Sequence, residues 1–474
     1  MSLVILFYVV LIPLIPLITG LNLSIAPLAG PLAIISFQLF LGVTLKSIYL
    51  ANNKHLFSIY PWLQRSNDSF ERAVIFMSLF SFLLCLGYWF SAIYENKLNL
   101  RRNNNFSFEP LILNKRNSYI SLIIAVAISL GICSLYLKQR GLLELSLLNL
   151  IINANISKVA QIDDTRTGNF GNTFAFTIQF FTVTKIYLLI FFSNLIADRN
   201  KINKAGFAIL LLLCLFQVVI TGRRNELLSL IAPLIIMAKM SVKQKPILGH
   251  IKVRQKQQKI INRLSILIIP ASIIIFGFIT YVRGGFDDNL DFNILLSFNN
   301  LLEPILESTY FTDINILGSI MEKMKYRNID FLMGQSYFSV IYGFIPRFLW
   351  SDKPAISLGI FIKNEVFGLR GSLGGIPPTM PGEAFINFGW WGLIVPFIYG
   401  FVLRKFEYLV LNKFAKSIGL YLYSLLIFPM AWSLMQSSFA ITINGIVSSA
   451  LLLYFFWIIT KKLVKNKSYF NLNN

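Results

Sequence analysis

Runs of about twenty apolar residues recur along this 474-residue chain, and no other feature limits its fold so sharply. They lie near 3–20, 26–50, 72–94, 118–137, 172–197, 205–221, 225–240, 264–282, 383–403, 418–435 and 438–460. A bilayer core about 30 Å thick takes roughly 20 such residues as a helix. Inside lipid every backbone N–H and C=O must be satisfied within the segment, which an α-helix achieves. Eleven such runs predict an all-α, polytopic transmembrane helical bundle. Composition agrees: 55% of residues are hydrophobic and 14% charged, whereas soluble domains carry about a quarter charged. Pro13, Pro16, Pro27 and Pro31 make the first two runs the ones expected to bend or break.

The net charge of +22 invites a nucleic-acid reading, which the distribution of the charge removes. Residues 239–263 hold eight Lys/Arg and no acid; 95–116, 198–204 and 404–416 come to +3, +2 and +3; and 461–467 hold four lysines. The alternate stretches 51–72, 138–170 and 222–226 come to only +1 each, and 283–383 comes to −3. Basic loops that alternate along the chain follow the positive-inside rule. They predict a cytoplasmic C-terminus, with 283–383 and the N-terminus outside. The first run has no positive region before it and is predicted to be a retained span, not a cleaved signal.

This pattern divides the chain into an N-terminal transmembrane bundle (1–282), an extracytoplasmic loop (283–382) and C-terminal transmembrane helices (383–474). Within the loop, 293–307 and 312–324 carry apolar residues at helical spacing, such as Ile294, Leu295, Phe298, Leu301, Leu302 and Ile305. They are expected as amphipathic helices on the outer membrane surface. A structured connection this long is more often functional than a spacer. Cys85, Cys133 and Cys214 lie inside apolar runs, and His55 and His250 stand apart. Neither set has disulfide or metal spacing. No metal and no other cofactor is expected.

Three segments carry candidate chemistry. Thr221-Gly222-Arg223-Arg224-Asn225-Glu226 is the short outer turn before the run at 225–240. A helix N-terminus offers free N–H groups and partial positive charge, and with Arg223 and Arg224 it suits a phosphate or pyrophosphate. The plainer reading is a pair of arginines anchored at lipid headgroups. Pro346 to Pro354 packs Arg347, Trp350, Asp352 and Lys353 between two prolines. Trp350 can stack on a sugar face, and Arg347 and Lys353 can hold phosphates. Equally, this is a rigid interfacial turn. Gly374 to Glu383 is proline-rich and opens the next span, with Asn387 one turn beyond Glu383. Glu383 suits a general base or a holder of a sugar hydroxyl. A carboxylate in a first helical turn is also favoured by the dipole alone, and Gly389 and Gly392 can simply allow close packing.

Two more cations stand out. Lys185 falls in mid-span, where an ionisable group is a functional candidate, or else is paired or bonded to a neighbour such as Gln179 or Gln217. Arg283 ends a span, where a cation also suits a helix C-terminus. On the expected topology Arg223, Arg224, Arg283, Arg347, Lys353 and Glu383 share the outer surface.

At these residues the chain resembles the Wzy-type polymerases of bacterial O-antigen and capsule repeat units. The resemblance rests on the Gly222-Arg223-Arg224 turn and the long outer loop. It rests also on Pro-Arg-x-x-Trp-x-x-Lys-Pro at 346–354 and Gly-Glu-x-x-x-Asn-x-Gly at 382–389. It covers the topology and, in detail, about 220–400. It implies a fold like that of the GT-C glycosyltransferases. It also implies transfer of a growing glycan from undecaprenyl pyrophosphate to an incoming undecaprenyl-pyrophosphate-linked repeat unit, on the periplasmic face of a bacterial inner membrane. The partners implied are those lipid-linked oligosaccharides, membrane lipids and a chain-length regulator, with no nucleic acid. Arg223 and Arg224, with Arg347, would stabilise the leaving pyrophosphate, and Glu383 would take the acceptor proton. O-antigen ligases share this architecture but typically use a histidine in the large outer loop, and 283–383 contains none. A ligase, a flippase for lipid-linked oligosaccharide and a non-catalytic assembly factor are the rival readings.

Overall fold

The computed structural model describes residues 3–25, 29–97, 115–139, 171–197, 200–221, 224–242, 311–345, 349–350, 358–370, 375–413 and 418–465. Every regular element among them is helical. The principal ones are α1 (Leu3–Leu23), α2 (Pro31–Asn52), α3 (Asn67–Lys97), α4 (Lys115–Gln139), α5 (Gly171–Ala197), α6 (Lys201–Thr221) and α7 (Arg224–Val242). After them come α8 (Ile314–Tyr326), α9 (Gln335–Gly343), α10 (Met380–Phe388), α11 (Ile394–Tyr408), α12 (Gly419–Phe428) and α13 (Phe439–Lys465).

Eight helical stretches among the described residues are long and apolar enough to cross a membrane, so the chain is a helical membrane protein. They are Ile5–Leu23, Pro31–Asn52, Asn67–Glu95, Arg116–Gln139, Gln179–Ile196, Lys201–Thr221, Met380–Asn412 and Phe439–Thr460, and each falls on an apolar run of the sequence. The run at 225–240 forms α7, and that at 418–435 forms α12 with a wide turn at Pro429–Ser433; neither is among the eight. The run at 264–282 lies outside the described residues, as does the expected amphipathic helix at 293–307.

The chain packs as two compact units, each assembled from separate stretches. The first comprises Met1–Asn104, Leu302–Leu409 and Ile427–Ile446, and the second Asn105–Leu301, Val410–Leu426 and Val447–Asn474. In the first unit α3 and α11 cross at two glycines. A Cβ on Gly87 would sit 1.9 Å from the Phe397 carbonyl oxygen, and one on Gly400 would sit 1.9 Å from that of Leu84. The backbones therefore touch where side chains would hold them apart, as is common where helices pack in lipid.

Polar groups reinforce this crossing from inside. Arg404 on α11 lies 2.9 Å from Glu95 of α3 and 3.3 Å from Glu407, with all three side chains buried. The Tyr88 hydroxyl and the Ser24 hydroxyl both donate to Glu407, and Arg404 donates to the Leu23 carbonyl at 2.7 Å. Buried charges are tolerable only when paired and hydrogen-bonded, so this network fixes α1, α3 and α11 as one frame. That frame carries α10, which joins α11 through the tight turn Gly389–Leu393.

The stretch 312–324 forms α8, a helix as its spacing predicts, but its first two turns are buried in protein and not laid on a surface. It packs along α3, and every residue from Ile314 to Met321 is buried. Its N-terminus explains why. Asp313 caps the helix by accepting from Asn315 N–H at 2.8 Å and pairs with Lys46 of α2 at 2.7 Å, both side chains fully buried. Arg65 donates to Asn315 Oδ1 at 2.8 Å and lies 3.6 Å over the Phe70 ring. Burial draws the Arg65 guanidinium down to about 10, against the opposing charges of Asp313 and Glu322. Small Gly318 and Ser319 fill what would be the polar face of its first two turns, while Lys325 and Tyr326 of its last turn are exposed. Part of the expected loop is thus core.

In the second unit α4, α5 and α6 pack around Ile132, Cys133, Tyr136, Phe181 and Ile220. Thr184 accepts from Gln217 at 2.8 Å and lies 2.7 Å from Ser129, joining the three helices. All three cysteines of the chain are buried and free.

A candidate active site around Glu383

Thr379 caps α10, accepting from Gly382 N–H at 3.3 Å, and Pro381 occupies the first turn, where its missing N–H costs nothing. This start places Glu383 on the inward side of α10, 1% exposed. The helix ends at Gly389, whose φ of +58° suits glycine and where a Cβ would meet the Phe331 ring at 2.8 Å. The turn before α9, left-handed at Met333 and Gly334, runs back along this end. Leu332 N–H donates to the Ile386 carbonyl at 3.1 Å, Met333 N–H to the Asn387 carbonyl at 3.0 Å, and Gly334 N–H to Asn387 Oδ1 at 3.1 Å. Those bonds deliver α9 to the carboxylate.

Ser336 of α9 donates to Glu383 Oε1 at 2.6 Å, and the Phe439 backbone N–H donates to Oε2 at 2.7 Å. Asn387 donates to Ser336 Oγ at 2.7 Å and to the Glu383 carbonyl at 2.8 Å. Because Asn387 Nδ2 can only donate, Ser336 must spend its one proton on Glu383. Both carboxylate oxygens are therefore acceptors. Phe439 opens α13, so the carboxylate occupies one of the unsatisfied donors at a helix N-terminus, where negative charge is favoured.

The other buried carboxylates among the described residues of this unit have cations: Glu95 and Glu407 share Arg404, and Asp313 has Lys46. Glu383 has no ion pair among the described residues; a serine, a backbone amide and a helix terminus stand in for one. Near it are two buried hydroxyls without partners, that of Tyr337 and that of Ser438, the neighbour of Phe439. The Tyr337 ring stacks on Phe388 and meets Phe439 edge-on at 5.2 Å. Burial first, then the charge of Glu383, raises its phenol well above the ordinary 10. A carboxylate with lone pairs to spare, near unmatched hydroxyls, can act as a proton acceptor. A cleft of about 370 Å³, lined by Met321, Met324, Lys325, Asp330, Phe331 and Phe385, opens on the opposite side of α10 and does not include Glu383.

Of the residues singled out in the sequence, the structure brings Glu383 and Asn387 together. Trp350 is 41% exposed and meets Tyr342 edge-on at 6.0 Å. Lys185, in the second unit, pairs with Glu226 at 2.5 Å and donates to Ser229 at 2.6 Å, so its partner is the acid of the arginine turn and not Gln179 or Gln217. Gln217 serves Thr184 instead. Arg223, Arg283, Arg347 and Lys353 lie outside the described residues, and Arg224 opens α7 with its side chain outside them as well. Sequence reading missed Ser336, Tyr337 and the Phe439 amide. They are 47, 46 and 56 positions from Glu383, and no spacing rule links them. The chain matches no protein-family model, no curated protein and no solved structure.

Proposed function

We propose that this protein is a membrane glycosyltransferase that polymerises lipid-linked oligosaccharide repeat units. In this reading the growing glycan leaves undecaprenyl pyrophosphate and joins the non-reducing end of an incoming lipid-linked unit. The acceptor hydroxyl oxygen attacks the anomeric carbon, the bond from that carbon to the pyrophosphate oxygen breaks, and Glu383 takes the hydroxyl proton. The observation that carries the reading is Glu383 itself, a buried carboxylate with no cation partner among the described residues, accepting from Ser336 and Phe439. It falls within the Gly-Glu-x-x-x-Asn-x-Gly motif, and Asn387 of the same motif orients Ser336. A positioned general base contributes about 10²–10⁴-fold to rate.

Arg223, Arg224 and Arg347 are assigned to the pyrophosphate, where fixed cations stabilise a developing charge. Arg283, Trp350, Lys353 and Asn387 are assigned to substrate binding. Lys185, which pairs with Glu226 of α7, is assigned to substrate binding as well. The reaction is assigned to the periplasmic face of a bacterial inner membrane, with the C-terminus cytoplasmic.

The test is the lipopolysaccharide ladder of a strain lacking the protein, run beside its parent. Collapse to core plus one repeat unit supports a polymerase. Loss of the single-unit band, with lipid-linked units accumulating, assigns a ligase or a flippase instead. An unchanged ladder removes the enzyme from this pathway.

A further inference from the structure

The nine residues of α9 present two unlike faces. Ser336, Ser339 and Gly343 recur at helical spacing on the inner one. Ser336 bonds Glu383, Ser339 is 2% exposed, and a Cβ on Gly343 would strike the Asn444 amide at 1.9 Å. The opposite face carries Phe338 at 66% and Ile341 at 72% exposed. The flanking residues continue it: Met333 is 75% exposed, Phe344 47% and Leu349 70%. A helix whose small polar side faces protein and whose large apolar side faces out is inverted relative to a helix lying between a core and water.

The surroundings say what covers that face. Leu332 and Met333 are hydrogen-bonded to the C-terminal end of α10, which belongs to the membrane-crossing stretch Met380–Asn412. Just beyond that end, Trp391 is 87% exposed, Trp390 45% and Ile394 62%. The apolar side of α9 is therefore continuous with the exposed side of a span at a point marked by paired tryptophans, the residues typical of the water–lipid boundary.

We infer that α9 is immersed in the bilayer at the lipid–water boundary, with Phe338 and Ile341 in contact with lipid and Ser336 turned to Glu383. It is neither part of an aqueous loop nor a docking face for another protein. The partner is the bilayer itself. The inference holds whatever reaction Glu383 serves, and it makes α9 the wall between lipid and the buried carboxylate.

Nitroxide labels on single cysteines in the full protein, reconstituted in liposomes, test this. Phe338→Cys and Ile341→Cys are the probes. Leu212→Cys, on a 66%-exposed position of the span Lys201–Thr221, is the lipid reference. Asp68→Cys, whose side chain is 70% exposed at the start of α3, is the water reference. Cys85, Cys133 and Cys214 are buried and are changed to alanine. The expected result is that both α9 labels collide with oxygen several-fold more than with a water-soluble nickel chelate, as the Leu212 label does. Collision like that of the Asp68 label would overturn the inference in favour of an aqueous loop. Poor collision with both reagents would overturn it in favour of cover by protein.

Discussion

Ser336 donates to Glu383 at 2.6 Å because Asn387 has already occupied the serine oxygen from the other side. Two residues on α10 and one on α9 thus form a chain with a fixed direction, ending on a carboxylate that accepts at both oxygens. A hydrogen bond to a charged group is worth about 1.5–3 kcal/mol. Ser336→Ala should therefore cut glycan polymerisation by about tenfold or more while leaving the protein level in the membrane unchanged. Ser336→Thr, which keeps the donor, should recover part of the loss. An alanine variant with the parental rate would show that the hydroxyl does nothing for Glu383.

Asn387→Asp should be worse than Ser336→Ala. It puts a second carboxylate within hydrogen-bonding range of Ser336 and removes the donor that orients it. The Gly334 N–H still has an acceptor in the variant, so the end of α9 stays tethered. Activity measured beside thermal stability in detergent separates the two effects. The prediction is a large loss of activity with a small shift in melting temperature.

The crossing of α3 and α11 was visible in the sequence only as two apolar runs with glycines in them. What makes Gly87 and Gly400 special is that each faces the other helix's carbonyl at the same crossing, and that depends on register, which hydropathy does not encode. Gly400→Val and Gly87→Val should each lower stability by several kcal/mol, since a Cβ at 1.9 Å from backbone oxygen forces the helices apart. The double variant should lose less than the sum, because one separation relieves both clashes. Additive losses would mean that the two contacts are independent.

The candidate site was legible in the same partial way. Glu383 and Asn387 stand out because a carboxylate and an amide one turn apart at the start of a span share a helix face. Ser336 and the Phe439 amide reach them through tertiary packing across about fifty residues in each direction. The stretch 312–324 misled for a related reason. Its apolar spacing fits a surface helix, but Lys46 and Arg65, far away in the chain, bind its N-terminus into the core.

Lys46→Met should destabilise the protein by about 3–5 kcal/mol, because it leaves the buried Asp313 without its ion-pair partner. Lys46→Met with Asp313→Asn should recover much of that loss, since the amide still caps α8 and no charge is stranded. Thermal unfolding in detergent reads both. A double variant as unstable as the single one would show that the pair stabilises through more than its charges.

At the other end of α8, burial raises the Glu322 carboxyl, but the Ser66 backbone N–H at 2.5 Å and the hydroxyls of Ser66 and Ser69 overcome this and hold it below its ordinary 4.5. A carboxyl depressed in the folded state contributes stability above its unfolded pKa and loses it as pH falls through the folded one. Glu322→Gln should therefore be less stable than the parent at neutral pH, and the two should converge below about 4.5. A stability gap that persists unchanged into that acid range would show that charge is not what the Ser66 contact uses.

The most direct measurement is polymerisation by a Glu383→Gln protein in the strain that lacks the parent. Glutamine keeps the size of the side chain and one oxygen for Ser336, sets an NH2 against the Phe439 N–H, and cannot take a proton. The account predicts a collapsed ladder of core plus one repeat unit, with the variant present in the membrane and folded, though less stable than the parent because one acceptor has become a donor. A full ladder from that variant would contradict the assignment of Glu383 as the base.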